Sequence, residues 1–456
     1  MTSIHCMQNK PTLPRIRALA LVLASCFACT ASAMEDDAVS RNDLFGDIPT
    51  NKPASSSDIK GFTQLEAART TSSPEHWSKL RSRTEFGSSG NLGEGLKWKL
   101  GARFDYDFVY GINDFYPAEV RQNQRTNFQL RENYLDYSAG NWDFRFGKQH
   151  VVWGEMVGLF FADVVSARDQ REFILPEFDQ MRIPQWAARA EYFNNDLHAE
   201  ILWIPVASYD NIGKPGAEFY PYQPVPPGFN VRYAPEVKPE NNADNMNYGL
   251  RLSTLKNGWD ISGFYYRSSD ISQTFYRSFE PATNTFVYQA RHDRIHQYGG
   301  TLSKDFGDIV FKAEGVYTRG RSFTTLDFAD TDGVVRQNTL DWAAGLDFTL
   351  PAETRFNAQV FQRQFINHDP NIISDKHENG YSLLLNNKYF ANWEAQALFI
   401  SSLNRSDWLF RPKLAWNFLR NWRWIFGADI FNGPSSGLFG RYNQQDRIYS
   451  ELRYTF

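Results

Sequence analysis

Two carboxylates, Asp105 and Asp107, stand two residues apart near the end of a long alternating stretch. On an extended chain they share one face, the arrangement that general acid and base work needs. Period-two spacing produces the same juxtaposition without any chemistry. His292 and His296 are four apart and would also share a strand face, but no companion ligands stand at metal-site spacing. The sequence has no phosphate-binding glycine loop and no zinc spacing. A denser cluster lies between residues 153 and 172: Trp153, Glu155, Asp163, Arg168, Asp169, Arg171 and Glu172. Charges of both signs set among apolar residues can sort what passes a narrow opening. They can equally pin a loop by ion pairs. These residues are therefore assigned no catalytic group, no metal and no cofactor.

What must position them is limited by composition. The chain has 456 residues, 42% hydrophobic, 22% charged and 16% aromatic. That is too aromatic for a disordered chain. No run of eighteen apolar residues is present, which excludes a bundle of membrane helices. A net charge of −4 gives no reason to expect nucleic acid as a partner. Residues 1–33 read as a secretory signal peptide: Lys10, Arg15 and Arg17, an apolar stretch from Ala18, then Ala31-Ser32-Ala33. Leu23-Ala24-Ser25-Cys26 offers a rival lipoprotein box. All three cysteines lie in this segment, so cleavage after Ala33 leaves no thiol.

Period two then recurs along the chain. Leu96, Trp98, Leu100, Ala102, Phe104, Tyr106 and Phe108 alternate with Lys97, Lys99, Gly101, Arg103, Asp105 and Asp107. The same alternation runs through 141–147, 308–318, 340–349, 393–400, 422–430 and the C-terminal 451–456. Each such strand has one greasy and one ionic face. In a soluble sandwich the greasy face would point inward. Three features favour the inverse. The strands are about nine to eleven residues long, enough to cross a bilayer when tilted. Connections alternate between short and long, as outer-membrane barrels alternate periplasmic turns with outer loops. Trp142, Trp259, Trp393 and Trp422 each follow a short turn directly, where an indole settles at the lipid–headgroup boundary.

The expected fold is an all-β, transmembrane, antiparallel up-and-down β-barrel. Parity argues for about 18 strands, with 16 as the fallback. Strand 78–87 should run down into the turn at 88–95, so Gly61 to Thr70 should be the upward first strand despite its weak alternation. Residues 34–60 then form a periplasmic arm or luminal insert, and 61–456 the barrel, with loop 150–185 folded inside. That loop carries Val151, Val152, Trp153, Met156, Leu159, Phe160, Phe161 and Val164, too apolar to stay in water.

From roughly residue 60 onward the sequence resembles the proteobacterial outer-membrane family known as domain of unknown function 1302. The residues that carry the resemblance are Gly147-Lys148-Gln149, Val152-Trp153-Gly154-Glu155, Asp163-Val164-Val165, Arg171-Glu172-Phe173, Ile183-Pro184 and Ile204-Pro205. The resemblance implies a barrel in the Gram-negative outer membrane and no settled substrate. Relatives encoded beside lipid-exporter-type transporters of the inner membrane imply movement of bulky or hydrophobic molecules.

By strand phase, Lys97, Lys99, Arg103 and Arg145 face inward with Asp105 and Asp107. Inward bases and acids are nearly balanced, so the lumen should be wet and weakly selective for ion sign. Loop 206–245 holds seven prolines from Pro215 to Pro239 among aromatics. It reads as a rigid outer loop, a lid, or a contact for lipopolysaccharide. The expectation is a passive outer-membrane channel rather than an enzyme. A hydrolase using Asp105, Asp107 or the histidine pair, and a structural or adhesive barrel, are the alternatives. Expected partners are outer-membrane lipid and lipopolysaccharide, an inner-membrane lipid-exporter-type system, and the barrel-assembly machinery through C-terminal Phe456.

Overall fold

Alternating side chains make each strand amphipathic, but a single strand leaves its backbone N–H and C=O groups unpaired. Lipid supplies no partner for them, so the strands must close on themselves. The computed structural model describes residues 59–456 except 155, 157–161 and 391. The expected signal peptide and nearly all of the arm at 34–60 lie outside the described residues.

Eighteen antiparallel strands form the barrel. They are β1 (Lys60–Thr70), β2 (Trp77–Gly93), β3 (Leu96–Asp107), β4 (Thr126–Leu130 and Asn133–Ala139), β5 (Trp142–Gln149), β6 (Gln185–Asn194), β7 (Leu197–Val206), β8 (Asn247–Lys256) and β9 (Trp259–Ser269). The second half comprises β10 (Arg294–Asp305), β11 (Ile309–Thr324), β12 (Val334–Leu350), β13 (Thr354–Phe365), β14 (His377–Phe390), β15 (Trp393–Ser402), β16 (Trp408–Leu419), β17 (Trp422–Asn432) and β18 (Arg447–Thr455). β4 is interrupted at Arg131-Glu132, yet both of its parts pair with β3. β1 closes the ring against β18, from Phe62 opposite Thr455 to Thr70 opposite Arg447. The weakly alternating first strand is thus real, and the 16-strand fallback is excluded.

Exposure settles which face is inside. Arg103 is 1% exposed and Asp105 4%, whereas Phe104 between them is 47% exposed. Ionic side chains line the interior and apolar ones face out, as membrane barrels require. Short turns at one end contain the positive-φ residues that tight hairpins need; Asn257 and Gly258, with φ of 53° and 73°, suit a type I′ turn. The strand-opening tryptophans follow these turns. Trp393 stacks on Trp416 at 5.3 Å, and Trp422 packs on Tyr454 at 4.9 Å.

The long connections at the other end are not irregular. Segment 108–125 carries helices Val109–Ile112 and Ala118–Gln124. Asn230–Val237 pairs in parallel with Thr285–Arg291, which pairs antiparallel with Thr274–Glu280. Tyr110, Tyr116, Val120, Tyr220, Phe275 and Tyr288 from these three connections form one buried aromatic cluster.

Candidate functional site

The connection between β5 and β6 leaves the wall after Gln149 and folds into the barrel. Its first part is a root set in the wall. Trp153 is 1% exposed and packs against Phe264 and Tyr266 of β9 at 5.1 and 5.7 Å. Its indole N–H donates to Glu200 Oε1 of β7 at 3.1 Å. The backbone N–H of Ala162 donates to Glu314 Oε1 of β11 at 3.2 Å. Gly154 lies so close that a Cβ there would stand 2.9 Å from the Asp163 nitrogen and 3.2 Å from Glu314 Oε2. Asp163 accepts from Ser166 Oγ at 2.9 Å and from Arg182 Nε at 3.3 Å, with Arg168 NH2 at 3.9 Å. Trp153, Asp163 and Arg168 therefore hold the root together. Glu155 lies outside the described residues.

The second part is a charged tip that reaches the opposite wall. Asp169 and Arg171 pair through two contacts, 2.8 Å to Nε and 2.6 Å to NH2. Glu172 bridges Lys79 and Arg81 of β2, the latter at 2.6 Å, and Arg447 of β18 at 3.3 Å. Phe173 takes a left-handed φ of 55° and packs on Tyr442 at 4.9 Å. Arg411 of β16 donates to Leu175 O at 2.6 Å, and Lys413 meets Glu177 at 2.7 Å. On the other side, Arg103 donates to Gln180 O at 2.7 Å and Arg131 to Asp179 O at 2.6 Å. Root contacts fall on β7, β9 and β11; tip contacts fall on β2–β4, β16 and β18. One loop thus spans the lumen from wall to wall.

Two charged chambers remain beside the tip. The larger lies between β2, β3 and the loop and includes Arg83, Arg103, Asp105, Asp107, Asp169, Arg171 and Glu172. The smaller is lined by Glu66, Glu177, Arg411, Lys413, Asp429, Arg447 and Glu451. Lys79, Arg81, Pro176 and Gln180 border both. The tip charges are held ionised by their partners. Burial pushes the Glu172 carboxyl up, but Arg81, Lys79 and Arg447 outweigh it and hold it well below the usual range. Burial opposes Asp169 in the same way, and Arg171 keeps it low.

The structure brings Arg103, Asp105, Asp107, Asp169, Arg171 and Glu172 to one chamber. The expected carboxylate pair is occupied differently: Asp105 takes Arg83 Nε at 2.7 Å, while Asp107 Oδ1 accepts the backbone N–H of Leu80 and of Val109, each at 3.1 Å. Lys99 pairs with Glu132 at 2.7 Å and Arg145 with Asp136 at 2.5 Å, both on the wall away from the tip. Lys97, nearer the turn, is exposed. The histidine pair does not form. His292 Nε2 meets Glu236 at 2.9 Å in the cap that the long connections form, whereas His296 contacts Tyr265 OH on the outer face. Sequence reasoning missed Glu66, Lys79, Arg81, Arg83, Arg411, Lys413 and Arg447. The spacing of Lys79, Arg81 and Arg83 at alternate positions was the available signal.

Within the 206–245 connection, Tyr209, Phe219 and Tyr220 are buried, while Tyr222 and Phe229 stay exposed. Asp210 ties the connections together: it accepts from Arg168 N at 2.8 Å and Ser272 Oγ at 2.7 Å, and burial pushes its carboxyl up to about 6.

A closed barrel with ionic interior and an infolded loop has the porin-like fold of outer-membrane barrels. The sequence matches the family described as protein of unknown function, DUF1302, over residues 27–456, and the chain belongs to that family. Among solved structures it is similar to OccAB2 of Acinetobacter baumannii, with a TM-score of 0.52 and 9% identity over 87% of this chain and 97% of that one. It is similar also to OccK8 (OprE) of Pseudomonas aeruginosa, with a TM-score of 0.51 and 9% identity over 88% and 98%. At such identity the likeness concerns the fold. A search of curated proteins finds no match.

Proposed function

We propose that the protein is a passive channel of the Gram-negative outer membrane, its bore set by the connection between β5 and β6. The observation that carries this reading is the loop tip held between opposite walls, with polar space left on both sides. Together the chambers present eight bases and eight acids. That balance favours small polar or zwitterionic solutes over either simple ion, because a lone charge gains as much repulsion as attraction. A bulky hydrophobic cargo would have to displace Glu172 and Glu177 from their bases and desolvate the rest. The reading gives Asp105 and Asp107 a role in lining the passage, not in hydrolysis.

Planar-bilayer recording of the purified protein tests the proposal. Discrete conductance steps are expected, and replacing residues 169–180 by a Gly-Ser linker should raise them. A silent protein would contradict the channel. An unchanged step after replacement would contradict the role of the loop. One observation favours a non-transporting structural barrel instead: the aromatic cluster that three long connections build at the far mouth. Silence of both wild type and linker variant would select it.

A further inference from the structure

The β6–β7 hairpin sets two carboxylates directly opposite each other on the lumen face. Glu191 and Glu200 are register partners, and His198 stands two residues from Glu200 on the same face. Like charges directly opposite are unfavourable unless something lies between them. Among the described residues, one oxygen or nitrogen from each of Glu191, His198 and Glu200 lies within 4.8 Å of the others. We propose that these three side chains bind a divalent first-row transition metal ion, a site independent of the channel reading.

Three observations carry the assignment. First, each side chain is oriented by a partner that leaves a ligating atom facing the cluster. His198 Nδ1 meets Ser253 Oγ at 3.2 Å, which leaves Nε2 turned to Glu191 Oε1 at 3.1 Å. Arg189 NH2 holds the other Glu191 oxygen at 2.8 Å. Trp153 Nε1 holds Glu200 Oε1. Metal-binding histidines and carboxylates are positioned by such outer contacts. Second, Glu200 is 2% exposed and stands directly opposite Glu191. A buried carboxylate beside a second one needs a cation or a donor. Third, the imidazole ring is fixed, stacked on Phe193 at 4.5 Å and 3°.

One imidazole nitrogen and two carboxylate oxygens suit zinc, iron or manganese, with lumen water completing the shell. On a zinc ion the donors would stand about 3.3 Å apart, given bond lengths of about 2.0–2.2 Å. Closing from the observed separations takes side-chain rotation and no movement of the strands. Arg189 must give up part of its hold on Glu191, and Arg251, across from Glu200 in register on β8, bounds the site. The ion would sit beside the Trp153 anchor.

The test is calorimetric titration of chelator-stripped, detergent-solubilised full chain with Zn²⁺. One saturable site per chain is expected. His198→Ala should weaken it at least tenfold, and Ser253→Ala about 10- to 100-fold as an outer contact. His296→Ala, on the outer face, should leave it unchanged. Co²⁺ should give a d–d absorption band that His198→Ala abolishes. Absence of saturable binding in the wild type overturns the proposal. So does wild-type affinity in a folded His198→Ala protein. Should that variant fail to fold, wild-type affinity in Glu191→Gln overturns it equally.

Discussion

Replacing Glu172 by Gln removes one charge and keeps the shape of the side chain. In the wild type Glu172 ties the loop tip to Lys79, Arg81 and Arg447 at once. A hydrogen bond between charged groups is worth about 1.5–3 kcal/mol. The three bases are not orphaned by the change, because Lys79 and Arg81 keep Glu66 and Arg447 keeps Asp429. The penalty of a stranded buried cation is therefore avoided. What is lost is the tip's share, about 2–3 kcal/mol, which raises the population of the released tip by about 30- to 150-fold. The substitution also leaves eight bases facing seven acids around the chambers. The assay is single-channel recording across a KCl gradient. The wild type should reverse near zero. Glu172→Gln should shift the reversal potential toward the chloride value and add open-channel noise as the tip moves. A variant with wild-type reversal potential and quiet steps would refute the argument that the tip charges bound the passage.

Trp153→Ala should cost about 3–5 kcal/mol of stability through the buried cavity and free the loop root, read as a lower unfolding temperature with larger, noisier steps. Asp210→Asn tests a pH effect. The folded carboxyl is raised to about 6, so its contribution is present at pH below about 4 and lost as pH rises through 6. The Asn variant should therefore be more stable than wild type at pH 7–8, by up to about 3 kcal/mol, and no more stable at pH 4. Asp407 accepts the backbone N–H of Leu438, Phe439 and Gly440 at 2.7, 3.0 and 2.7 Å. Asp407→Ala strands all three and should loosen the 433–446 connection, seen as faster amide exchange there with the barrel intact.

The barrel was legible because lipid imposes a rule on every strand. Alternation in 96–108 by itself places Arg103, Asp105 and Asp107 inward, and turn parity demands a strand at 61–70 that propensity barely marks. The chambers were legible only in part. The alternate spacing of Lys79, Arg81 and Arg83 marks an inward face on β2, but that Lys79 and Arg81 meet Glu172 depends on where a loop about ninety residues later crosses the lumen. Arg411 and Leu175 are 236 residues apart, and only closure of the ring and the path of the loop bring them together. The histidine pair failed for a simpler reason. Position 292 belongs to the cap, so no shared strand carries both rings. The Glu191–Glu200 pairing follows from the two-residue turn at Asn195-Asp196, a register that composition and spacing do not reveal.

On the proposed reading, ionic faces enclose a conducting aqueous interior while greasy faces meet lipid. Neighbouring positions on β4 test it directly. Asn127 borders the larger chamber, and Phe128 is 67% exposed on the outer surface. In a chain lacking residues 1–33, which hold all three cysteines, Asn127→Cys and Phe128→Cys would each be treated with a charged, water-soluble methanethiosulfonate during bilayer recording. Current through the Asn127→Cys channel should fall on labelling, and the Phe128→Cys channel should be unaffected. Current loss at 128 with none at 127 would contradict that reading.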